Sequence, residues 1–334
     1  MVYEHISVAA GPVARVVLTR PEVRNAMSAV TLRELADGFR LLAKDPEVRV
    51  VLVTGSGKDF CAGADIQWMK AGGRLPPEEG KKDARLFADM LGAVESCPVP
   101  VVVAAQGSVF GGGLGLLAAC DAALLSDDAK LSFSECRLGI MPAVISCWVL
   151  PKIGAANARR YYLTAEVFGA AQALGMGLVH EVVPAAELSA KADAVVASIL
   201  KCGPNAVRAA KKMIPVIAAA SPEARVELAV DTLAELRSSP EGQEGLAAFL
   251  DKRAPSWAAK PCSARRCGSS RSAPATACSR PAPPSRRTPR SPSSISSLLP
   301  ACARSRQGRS FPRRPSPRWR IRSRCSRGSR AVPA

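Results

Sequence analysis

The chain has 334 residues, enough for roughly one or two domains, and a formal charge of +18 that is unevenly spread. All 28 Asp and Glu lie before residue 261, whereas 261–334 holds 18 Arg and no Lys, which leaves residues 1–260 with 28 basic groups against 28 acidic ones. The net charge is therefore no argument that the folded part binds nucleic acid, and two histidines leave almost no material for a zinc site or a Ser-His-Asp triad.

In chain order, Tyr3–Ala9 and Val13–Thr19 read as strands joined by a turn at Gly11-Pro12. Ser28 is an expected N-cap for a helix whose Leu32, Leu35, Phe39 and Leu42 share one face. Val48–Thr54 is a continuous apolar strand, expected to be covered on both faces. The following Gly55-Ser56-Gly57-Lys58 fails as a phosphate loop, because Leu52 occupies the first glycine position and Asp59 stands where Ser or Thr is needed. Ala62-Gly63-Ala64 is instead a small-residue turn into a helix Asp65–Lys70, whose Trp68 and Met69 are available to line a pocket. Gly72–Gly80 reads as loop and Lys81–Cys97 as an amphipathic helix.

A second strand, Val99–Ala105, meets Gly111, Gly112 and Gly113 and continues as the helix Leu114–Cys120. Residues without a Cβ let another molecule approach, and the first N–H groups of a helix have no internal partner. Such a turn binds negative charge, resident or developing. Gly113-x-Gly115-x-x-Ala118 with Glu135 twenty residues beyond Gly115 imitates a dinucleotide fingerprint, but the helix stops at Cys120-Asp121, too early for that unit. Short strands at Ala122–Ser126 and Lys130–Phe133 then put Glu135 on a loop. Helices are expected at Ala143–Ile153, Asn157–Thr164 and Ala170–Met176, a strand at Leu178–Val183, and helices to Lys252, the last opening at Ser239-Pro240-Glu241. Repeated strand-turn-helix units with a helical end make an α/β core plus a helical subdomain. His180 reads as structural, and Arg159, Arg160 and Tyr161 as a phosphate site or a plain helix surface. Lys252 and Arg253 read equally as a phosphate contact or a solvated helix end.

Residues 261–334, rich in Arg, Pro and Ser, are expected to be disordered. Their favoured reading is a stretch translated in a shifted frame, the alternatives being a basic arm or a solvated appendage. Dispersed cysteines without CxxC pairs, the lack of a leader-like start and the lack of a membrane-length apolar run point to a cytoplasmic protein with no membrane partner.

FCAGADIQWM at 60–69, AAQGSVFGGGLGLLAACD at 104–121, FSECRLG at 133–139 and GLVHEVV at 177–183 resemble the signature segments of the enoyl-CoA hydratase/isomerase, or crotonase, superfamily, over about residues 3–258. The resemblance implies an α/β fold with a repeated ββα spiral core (1–195) and a C-terminal helical oligomerisation subdomain (196–260), assembling as a homotrimer or dimer of trimers. It implies that the N–H groups of Ala64 and Gly112 form an oxyanion hole around an acyl-CoA thioester carbonyl. Ala62, Ala64, Asp65 and Ile66 would contact the coenzyme A portion, which belongs to the substrate, so no separate cofactor and no metal are expected. Nor is a nucleic acid partner.

Glu135 matches the second of the two glutamates of the family's hydratases and is the expected general acid/base; Gly115 stands where the first would be. One carboxylate with an oxyanion hole also suits a double-bond isomerase, and a non-catalytic or RNA-binding relative remains a third alternative. Met141-Pro142-Ala143-Val144-Ile145-Ser146, ADIQWMK and ARRYYLTAE resemble the bacterial methylglutaconyl-CoA hydratase branch and its isohexenylglutaconyl relative, which act in leucine and acyclic terpene breakdown. The substrate pocket is accordingly expected at Trp68, Met69, Gly115, Pro142 and Ala143, with Gly115 making room for a second substrate carboxylate.

Overall fold

The computed structural model describes residues 2–74 and 76–258. The Arg-rich segment 261–334 lies outside the described residues.

Six strands form the main sheet: β1 (Ile6–Ala9), β2 (Val13–Leu18), β3 (Val50–Gly55), β4 (Val101–Ala105), β6 (Ala122–Ser126) and β9 (Glu181–Val183), side by side in that order. Within this sheet the β1–β2 hairpin is antiparallel and the other pairings are parallel. A three-stranded sheet, β5 (Ser108–Phe110), β7 (Lys130–Ser132) and β8 (Phe168–Gly169), stands apart from it. Strand β5 is too short for its alternation to be read from the sequence.

The helices are α1 (Ala29–Lys44), α2 (Ile66–Gly72), α3 (Pro77–Glu95), α4 (Gly112–Ala119), α5 (Ser146–Thr164), α6 (Ala170–Gly175), α7 (Leu188–Leu200), α8 (Pro204–Ala219), α9 (Pro222–Ser238) and α10 (Pro240–Leu250). Ser28 caps α1 in a reciprocal capping box with Thr31, and Leu32, Leu35, Phe39 and Leu42 are buried along the predicted face. Each such side chain contributes about 1.5–3 kcal/mol by leaving water. Helix α3 begins four residues before the expected Lys81, with Pro77 in its first turn and Glu78 and Glu79 at the positive end of its dipole. Helix α5 begins at Ser146, three residues later than expected, and holds a kink at Gly154 between its two predicted halves.

Strand β3 is covered on both faces: Val51 and Val53 join the core that includes α1 and α3, while Val50 and Leu52 meet Leu188, Ala192 and Val196 of α7. Residue 195, the expected end of the core, thus falls inside a helix that packs on the sheet. Among the described residues, no helix is long and apolar enough to cross a membrane.

The chain advances as a spiral. Strands β3, β4 and β6 each lead to a short extended piece, at Cys61, β5 and β7, and then to a turn and a helix. Cys61 bridges Val109, and Phe110 pairs with Ser132, so the three short pieces stack. The turns that follow, at Ala62–Asp65, Gly111 and Ser134–Glu135, therefore come to one place.

Candidate active site

The first turn is held from behind by Asn25, which is 1% exposed. Its carboxamide N–H groups donate to the carbonyls of Ser56 and Asp59 at 2.9 and 2.8 Å, and its oxygen accepts from Arg20 N–H. Ala62 N–H donates to Arg24 O, Met27 N–H to Gly63 O and Asp65 N–H to Met27 O. The Ala64 N–H between these bonds has no acceptor among the described residues. Gly63 adopts φ +102°, and a Cβ there would sit 3.3 Å from Phe110 O, so the turn needs glycine both for its backbone and for its closeness to the next turn.

Asp65 caps α2 by accepting from Gln67 and Trp68 N–H, and pairs with Arg20 at 3.3 Å. Burial works to raise its pKa, but the two amides and the guanidinium together hold the carboxyl below its ordinary value. Its side chain supports the turn and does not line the cavity described below.

The second turn is tied to the first by Cys61 N–H donating to Ser108 O and Phe110 N–H donating to Cys61 O, at 3.0 and 2.9 Å. Gly111 (φ +46°) reverses the chain into α4, whose first residue is Gly112, two residues before the expected start. The Gly112 N–H, at the positive end of the helix, has no acceptor among the described residues. A Cβ on Gly112 would lie 2.7 Å from the Phe87 ring.

Glu135 sits in a short 3-10 turn, Ser134–Leu138, directly after β7. Its Oε1 lies 3.2 Å from where a Cβ on Gly111 would be, and its Oε2 is buried without a hydrogen-bond partner among the described residues. Burial pushes its pKa above the ordinary glutamate value, opposed only by its own backbone amide. A carboxyl so placed exchanges protons closer to neutral pH than an exposed one does.

These groups face a cavity of about 460 Å³. Ala62, Ala64, Ile66, Trp68, Met69, Gly112, Glu135, Pro142 and Ala143 all line it, brought together from positions as far apart as 62 and 143. Trp68 and Phe87, both in its lining, form a tilted aromatic pair with ring centroids 5.8 Å apart. Asp83, on α3, and Glu135 are its ionisable lining residues.

Gly115 stands apart from the other expected pocket residues. It is buried within α4, and a Cβ there would lie 2.5 Å from Ile145 Cγ2 and 3.3 Å from Leu91 Cδ1. The space expected for a substrate carboxylate is filled by the Ile145 side chain, because the 141–145 loop folds back over the helix. Sequence reasoning also missed Phe87 and Asn25. The spacing of Phe87 from Met90 and Leu91 marks it as core-facing, but nothing local announces its contact with Gly112. His180 accepts from Ala123 N–H through Nδ1 at 3.0 Å, away from the cavity, and burial lowers its pKa. Arg160 pairs with Glu166, and Arg253 with Glu244.

Residues 9–260 match the family described as enoyl-CoA hydratase/isomerase. The chain is 31% identical to the crotonyl-CoA hydratase of Syntrophomonas wolfei over 245 residues, covering 73% of this chain and 93% of the relative. Two solved structures are similar in fold. Pseudomonas aeruginosa AtuE has a TM-score of 0.74 and 34% identity, with 77% of this chain and 100% of that one covered. An enoyl-CoA hydratase from Shewanella pealeana has a TM-score of 0.73 and 32% identity, over 76% and 96% of the two chains.

Proposed function

The chain belongs to the enoyl-CoA hydratase/isomerase family, and from that premise we propose that it adds water across the double bond of a 2-enoyl-CoA thioester. The thioester oxygen accepts from Ala64 and Gly112 N–H, two donors that need no rearrangement when the oxygen becomes an enolate. Glu135, as carboxylate, takes a proton from water while the water oxygen bonds to C3. The displaced π electrons move toward the thioester, and Glu135 then returns the proton to C2. One carboxyl closes the cycle, and its protonation state is restored.

The observation that carries this reading is the buried Glu135 carboxyl, one oxygen of which is orphaned among the described residues, in the lining of the same cavity as the residues of the two acceptor-free amides. The backbone of Ala62–Ile66 is assigned to the coenzyme A portion, and Trp68, Met69, Pro142 and Ala143 to the acyl chain. A homotrimer or pair of trimers, acting in the cytoplasm, completes the reading. Exposed apolar side chains such as Ile214, Leu233 and Phe249 on α8, α9 and α10 support a subunit interface there.

Within that reaction the narrower assignment is a branched, methylglutaconyl-type thioester, as in leucine breakdown. A second reading, double-bond isomerisation through the same enolate, is favoured by one observation: Ile145 occupies the region where a second acid would stand. A panel of 2-enoyl, 3-enoyl and glutaconyl-type thioesters, with products identified by NMR, tests both. Formation of the 3-hydroxyacyl thioester from the 2-enoyl substrates is expected. Interconversion of 2- and 3-enoyl forms without hydroxylated product would replace hydration by isomerisation, and crotonyl-CoA turning over far faster than a glutaconyl-type thioester would remove the narrower assignment.

A further inference from the structure

We infer that Arg159 receives a second carboxylate at the far end of the acyl chain and so selects dicarboxylic over neutral thioesters; this rests on reading the main cavity as an acyl-CoA site. A second cavity of about 370 Å³ adjoins the first, and Met141 lines both. Arg159, Ser146 and Tyr162 contribute its polar groups. The Ser146 hydroxyl is already committed, with Pro142 O and the Tyr162 hydroxyl oxygen as its acceptors, the latter at 3.2 Å. The Arg159 guanidinium, by contrast, has no ion pair or hydrogen bond among the described residues, although the adjacent Arg160 is held by Glu166 at 2.6 Å.

The two cavities are opposite in charge. Among the described residues, the main one is lined by Asp83 and Glu135 and by no cation, the adjoining one by Arg159 and by no acid. Asp83 stands on the α3 side, 2.9 Å from where a Cβ on Gly72 would be. A chain ending in a carboxylate is therefore repelled from α3 and drawn past Met141, whose exposed, unbranched thioether yields readily. Tyr162 lines the second space, its ring 4.7 Å from that of Phe133 and its hydroxyl within range of the Glu135 charge. In the same lining, the planar Arg159 guanidinium, which has no partner among the described residues, suits a carboxylate in two-point contact.

The test compares kcat/KM for glutaconyl-CoA and crotonyl-CoA, which differ in the distal carboxylate, in the full chain and in Arg159→Gln. The wild-type chain is expected to prefer glutaconyl-CoA, and the substitution to lower the glutaconyl-to-crotonyl ratio by about tenfold or more, through KM, with Arg159→Lys between the two. A wild-type preference that survives Arg159→Gln unchanged overturns the assignment. Equal rises in KM for both thioesters also overturn it and give Arg159 to a coenzyme A phosphate. A wild-type chain that turns over both thioesters without preference overturns it while leaving the acyl-CoA reading intact. Failure to bind or turn over either thioester overturns both.

Discussion

Glu135 does opposite things to activity and to stability. Burial raises its pKa, so between the ordinary and the raised value the folded chain holds a proton that the unfolded chain has released. Its contribution to stability therefore falls as pH rises through that window. The base form needed for water activation appears over the same window, and the acid limb of kcat/KM is predicted to lie above the ordinary glutamate value, as a pH series on a 2-enoyl-CoA will measure. Gly115 makes a second case at this scale. With Ile145 Cγ2 only 2.5 Å from any added Cβ, Gly115→Glu is predicted to destabilise the fold by about 1–3 kcal/mol rather than supply a second acid, read from urea unfolding. The motif around Glu135 was legible in the sequence because it is contiguous. The meaning of Gly115 was not, since Ile145 lies thirty positions away and meets it only after the loop folds back.

At the scale of elements, the site depends on loops held by buried polar groups rather than on the helices alone. Asn25 satisfies two carbonyls and one amide around the first turn. Asn25→Ala leaves all three part-buried groups without that partner, and a loss of about 2–4 kcal/mol is predicted, measured by thermal or chemical denaturation. The turn that presents the Ala64 N–H should loosen with it, so kcat is expected to fall at temperatures where the variant is still folded. Strands, the α1 face and its Ser28 cap were readable because apolar spacing and capping residues are local signals. The start of α3 was missed, although Pro77, Glu78 and Glu79 mark it, because Gly72–Gly80 is rich in residues that also make loops. Gly112 and Gly113, read as a turn, are the first turn of α4, since an N–H that must stay free belongs at a helix start.

Over the whole molecule, the spiral accounts for how a site can be assembled from three separated segments. Each turn of the spiral sets its small-residue loop one step along the stacked short strands, so positions 64, 112 and 135 converge without any local signal that they are near one another. The central claim is that Glu135 is the proton shuttle for a thioester held by two amides, and Glu135→Gln, nearly identical in shape, isolates it. Its steady-state hydration of a 2-enoyl-CoA is predicted to show kcat about 10²–10⁴-fold lower than that of the wild-type chain, with thioester binding retained. Turnover within twofold of wild type would contradict the account.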